Sequence, residues 1–136
     1  MDGYRPLTSR EKVALVGEIM TTYVRMYRAM RHPDVIEVAR QARAIRRPLP
    51  RPDGAAEFRV ARRMGRFVGR TLRVLPTDSR CLIQSLVVTR LLARRSIPCK
   101  LIVGVRKGNE FEAHAWVEYE GIPVLPAGEF VRLMEL

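Results

Sequence analysis

The period of the apolar residues changes once along this chain, and that change restricts the fold more than any other feature. Up to about Leu92 they recur every three or four positions, as on one face of a helix; beyond Pro98 they form strand-like runs. Thr8 and Glu11 stand at capping-box spacing, and Val13, Val16, Met20, Tyr23, Tyr27 and Met30 then predict a long amphipathic helix that stops near His32-Pro33. Pro33 suits the first turn of a second helix, carried by Val35, Val38, Ala42 and Ile45. The proline-rich RRPLPRPDG separates it from a third, whose core stripe is Phe58, Ala61, Met64, Val68 and Leu72. Gly65 and Gly69 in that helix leave room for a close neighbour. A fourth helix opens around Cys81, after the stop-and-start signals Pro76, Thr77, Asp78 and Ser79.

Beyond Ser96-Ile97-Pro98, CKLIVGVR reads as a strand buried on both faces. Lys107 to Glu110 form a turn. FEAHAWVEY then alternates, with Phe111, Ala113, Ala115, Val117 and Tyr119 on one face and Glu112, His114, Trp116 and Glu118 on a polar one. Glu120-Gly121 turns into a short third strand, Ile122 to Leu125, which Pro123 assigns to a sheet edge. Helices followed by strands predict an α+β fold, with the helices packed on a small antiparallel sheet. The 136 residues suit one domain, 1–136, with 1–75 helical and 76–136 holding the Cys81 helix and the sheet.

The formal charge is +11, and 22 of the 25 basic residues are Arg. Eleven of these lie between Arg40 and Arg73, where the acids are Asp53 and Glu57. Such a field attracts an acidic partner surface, an acidic peptide or nucleic acid, although a solvated helix face explains it as simply. MDGYRPLTSREK lacks the charged-then-apolar order of a secretory signal, and no apolar run is long enough to span a bilayer. A cytoplasmic protein without membrane association is expected, and with it two free thiols, Cys81 and Cys99.

A helix-start cysteine ahead of Leu82, Leu86 and Leu91 is more often a small core residue, and a strand histidine more often has a structural ring. Two features favour chemistry instead. Cys81 falls in a first helical turn, where unpaired N–H groups favour a thiolate and can hold an oxyanion. His114 follows on the polar face of a strand, the order used by Cys-His nucleophilic sites. Two cysteines and two histidines with no close pair argue against a metal, and no cofactor is expected.

With these residues in place, CLIQSLVVTRLLARRSIPCKLIVGVRK followed by EAHAWVEYEGIPV resembles the papain-type, transglutaminase-like cysteine peptidase of lasso-peptide biosynthesis, the C-terminal domain of the B protein. The likeness runs from about Arg80 to Val124, and the length suggests the split, stand-alone form. It implies removal of the leader from a ribosomally made precursor through a thioester, with Cys81 as nucleophile and His114 as base. It also implies three partners: the precursor peptide, a separate leader-binding protein and a macrolactam-forming cyclase. The Arg-rich second and third helices are the expected docking face. The family's acidic third member falls here at Pro126, so the pattern departs from the family. Glu129 is the preferred substitute, with Glu118 and Asp78 as alternatives. The Cys81 N–H, with the Gln84 or Trp116 side chain, is the expected oxyanion contact. Two rivals stay open. One is a basic binding module without catalysis, against which the basic stretch lacks interleaved aromatics for nucleic acid. The other is an acyltransferase that hands the thioester to an amine.

Overall fold

The computed structural model describes residues 6–31, 34–44, 54–74, 80–106, 112–124 and 130–136. Four helices, α1 (Ser9–Ala29), α2 (Val35–Arg43), α3 (Gly54–Leu72) and α4 (Arg80–Arg94), precede four strands, β1 (Lys100–Arg106), β2 (Glu112–Tyr119), β3 (Ile122–Pro123) and β4 (Val131–Glu135). The strands form one antiparallel sheet in the order β3-β2-β1-β4. The α+β class expected from the sequence is therefore the class observed.

The helix α4 is the central element, packed by α1, α2 and α3 and against β1 and β2. Leu86, Leu91 and Leu92 on it are fully buried. Burial of each such side chain contributes about 1.5–3 kcal/mol. Ala61, Met64, Val68 and Leu72 of α3 and Ala115, Val117 and Tyr119 of β2 close the same core. The Tyr119 hydroxyl ties the two together by donating to the buried Glu57 carboxylate at 2.6 Å. Gly69 seats Gln84 of α4: a Cβ there would stand 2.9 Å from the Gln84 amide nitrogen.

Local signals behave as their chemistry requires. The Thr8 hydroxyl accepts from the Glu11 N–H at 3.2 Å while the Glu11 carboxylate accepts from the Thr8 N–H at 2.7 Å, a complete capping box. Loss of such a cap typically costs about 0.5–2 kcal/mol. Asp34 caps α2 by accepting from the Glu37 N–H at 3.1 Å. Leu101 and Ile102 are buried on opposite faces of β1, and β3 lies at the sheet edge. Ile45, Pro33, the RRPLPRPD segment, the cap signals at Asp78 and Ser79, and the Lys107 to Glu110 turn lie outside the described residues.

Three expectations are corrected. Of the α1 stripe, Met20, Tyr23 and Met30 pack against the core as expected, but Val13, Val16 and Tyr27 are exposed, and Ile19 and Thr22 are buried in their place. The packed face is shared with Leu15 and Met26, and beside it Glu18 is held by Arg95 at 2.9 Å and Arg94 at 3.5 Å. Partial burial alone would raise the Glu18 carboxyl, but hydrogen bonds and charge from Arg95 and then Arg94 draw it below the usual carboxylate range. Second, the face of β2 read as polar is covered: Trp116 and Glu118 are buried. Third, the chain has a fourth strand. β4 pairs with β1 across a register shift between Val103 and Gly104, and its Val131, Leu133 and Met134 stay exposed, so no apolar alternation announces it.

Candidate active site

Cys81 is the second residue of α4, so its backbone N–H belongs to the first turn, which has no intrahelical acceptor. His114 is the third residue of β2, opposite Gly104 of β1. The two line one cavity of about 230 Å³ together with Gly65 of α3, Gln84, Ser85 and Val88 of α4, Ala115, Trp116 and Val117 of β2, and Val124.

The sheet topology explains why residues of both β2 faces reach this cavity. The strand β3 pairs with Glu118 and Tyr119, and the Val117 carbonyl accepts from the Val124 N–H at 2.8 Å; among the described residues no strand pairs with the earlier part of β2 along that edge. The first turns of α4 lie along that edge, and the Ser85 hydroxyl donates to the Ala115 carbonyl at 3.2 Å. Ala115 thus turns its carbonyl away from β1 and towards α4. This bond locks the nucleophile-bearing helix to the residue next to His114.

On its other side the imidazole meets an aromatic cluster. Its ring centroid lies 4.7 Å from Phe130, immediately before β4, and 6.1 Å from Trp116. The Arg106 guanidinium covers Phe130 at 5.4 Å. The Trp116 indole N–H donates to Glu118 at 3.0 Å, and the second oxygen of that carboxylate is paired with Arg132. The Arg132 guanidinium, held charged by this bond, is raised further above its ordinary value.

Of the acids weighed from sequence, Glu118 is thus committed to Trp116 and Arg132, while Glu129 and Asp78 lie outside the described residues. Ser85, Phe130 and Arg132 escaped sequence reasoning. Ser85 stands four residues after Cys81, one helical turn along the same face, and this spacing was the available signal. Arg132 belongs to the unrecognised strand, and Phe130 immediately precedes it.

The two thiols are not equivalent. Burial pushes the Cys99 thiol up to about 12, partly offset by Thr89. It therefore stays protonated at neutral pH, and its share of stability persists below the ordinary thiol range and is lost as pH rises towards 12. Iodoacetamide at pH 8 is expected to label one cysteine, Cys81, in the native protein and both in denaturant, as read by mass spectrometry. Native labelling of Cys99 would contradict the assignment.

No helix among the described residues is long and apolar enough to cross a membrane. Comparison with curated proteins and with solved structures returned no match. A family model described as transglutaminase-like superfamily matches residues 20–134, and proteins of this superfamily are generally cysteine proteases or acyltransferases. With nearly the whole chain matched, from within α1 to within β4, the chain belongs to the transglutaminase-like superfamily.

Proposed function

We propose that the protein is a cysteine peptidase that removes the leader from a lasso-peptide precursor, with Cys81 as nucleophile and His114 as general base. The observation that carries this reading is the meeting of a first-turn cysteine and a strand histidine at one cavity in a transglutaminase-like chain. The lasso-peptide assignment rests on the Cys81 and His-Ala-Trp-Val-Glu motifs, and it brings the precursor, a separate leader-binding protein and a cyclase as partners.

The chemistry follows from the two groups. The Cys81 thiolate attacks the scissile carbonyl, and the oxyanion is held by the Cys81 N–H and the Gln84 amide, which Gly69 seats at the cavity wall. The imidazolium of His114 gives its proton to the leaving amine as the C–N bond breaks, and a thioester remains. His114 then takes a proton from water, which attacks the thioester and releases the thiol and the carboxylate product. An amine in place of water gives acyl transfer by the same residues. Incubation in ¹⁸O-water with a precursor encoded beside the gene and its leader-binding partner tests this. Leader released with one ¹⁸O in its new carboxylate is expected; transfer to an amine yields no such label, and an intact precursor defeats the reading.

Arg62, Arg66, Arg70 and Arg73 lie exposed along one side of α3 and just past its end, while Gly65, on the flank of that ridge, lines the cavity. A partner docked on this ridge delivers its peptide beside Cys81. Replacing Arg62, Arg66 and Arg70 with Glu is expected to weaken association with the leader-bound partner about tenfold at low salt and to flatten its salt dependence. Unchanged pull-down across salt would return the ridge to a solvated face.

A further inference from the structure

The peptidase reading needs an imidazole held in place, yet Glu118, a carboxylate on the same strand as His114, spends both oxygens elsewhere: one on the Trp116 indole and one on Arg132. That disposition has a geometric effect. Glu118 is almost fully buried, so its two bonds are not traded for water. The first fixes the indole across β1, over Gly104. The second fastens Arg132, two residues beyond Phe130, to β2. Trp116 and Phe130 are therefore both tied to one carboxylate, and they are the two rings against which the imidazole rests, at 6.1 and 4.7 Å.

Resting on the peptidase reading for its catalytic consequence, we infer that Glu118 is a positioning residue: it holds Trp116, and with it the aromatic clamp that sets the His114 ring at the cavity. The clamp orients a flat ring through ring-to-ring contacts with Trp116 and Phe130. Aromatic faces also favour the charged ring that the thiolate requires. An ion pair that merely fastened β4 to the sheet would leave the ring contacts intact when the indole bond alone was lost.

Trp116 is the single tryptophan, so its emission reports the clamp without any substrate. A protonated imidazole quenches a neighbouring indole, and a pH titration of emission should show a step that His114→Ala removes and Cys81→Ser retains. Among the described side chains, the other charged or titratable groups around the ring are Cys81 of α4, Arg106 of β1, and Glu118 and Arg132 beside the indole, with Lys100 and Glu135 further along β1 and β4. Glu118→Leu is expected to flatten the step and to lower kcat on the precursor about ten- to a hundredfold, with KM little changed. Glu118→Gln, which still offers an acceptor to the indole, should recover most of both. If Glu118→Leu does not fold, Trp116→Phe should show the same loss of kcat, and adding Glu118→Gln to it should cost nothing further. A wild-type emission without the step, or Glu118→Leu with the step and kcat intact, overturns the inference. A wild type that shows the step but cleaves no precursor defeats the peptidase reading and leaves the clamp standing.

Discussion

Cys81→Ala should abolish cleavage of the precursor, a fall of at least about a thousandfold to the background of the assay, while the protein stays folded. The loss is total because every covalent step passes through this sulfur, and no other described group at the cavity replaces it: Ser85, one turn along, has its hydroxyl bonded to the Ala115 carbonyl. The fold survives because Cys81 is only partly buried, at the rim of the core, so the transfer term for its removal is small. A change in stability below about 1 kcal/mol is expected. Cys99→Ala should keep full activity, since that thiol stays protonated. Mass spectrometry of the precursor and thermal melts of both variants check these outcomes, and a Cys81→Ala protein as active as wild type would end the thioester mechanism in either its hydrolytic or its transfer form.

Gly104→Ala is expected to produce the largest loss of stability of any single methyl added to the described sheet. A Cβ at Gly104 would stand 2.5 Å from the Trp116 ring and 2.6 Å from the Val131 carbonyl oxygen. Neither neighbour yields easily. The indole is held at its far side by Glu118, and Val131 presents backbone, so relief requires β4 to move away from β1 at the point where their register already shifts. Overpacking of this kind costs about 1–3 kcal/mol and sometimes more. At this chain length that lowers Tm by roughly 5–12 °C. Because His114 pairs with Gly104 across the ladder and stacks near the displaced indole, turnover should fall as well, and Trp116 emission should shift to the red as water reaches the ring. Unchanged melting and emission would show that the sheet absorbs the methyl group.

Much of this architecture was legible in sequence because it depends on neighbours in the chain. Thr8 and Glu11 are three residues apart and cap α1 unaided; the α3 stripe repeats at helical spacing; the run from Leu101 to Val105 is apolar throughout. The same local logic placed Cys81 in the opening turn of a helix and His114 within a strand. The order of helices and strands settled the α+β class.

What needed the tertiary structure involves partners far apart in sequence. Which side of α1 faces the core depends on α4, against which it packs: Ile19 and Thr22 are buried, and Glu18 bonds Arg95, 77 positions away. The strand β4 is defined by pairing with β1 rather than by its own pattern, since its apolar side chains remain in water. Glu118 reads as a solvated acid on a polar face until Arg132 and the Trp116 indole fold over it. The cavity, likewise, is lined by residues of α3, α4 and β2 that lie far apart in sequence, with Ser85 of α4 bonded to Ala115 of β2. Local patterns report which face of an element is apolar, whereas the burial of a charge and the opening of a cavity depend on what distant segments supply, and only the folded chain brings those segments together.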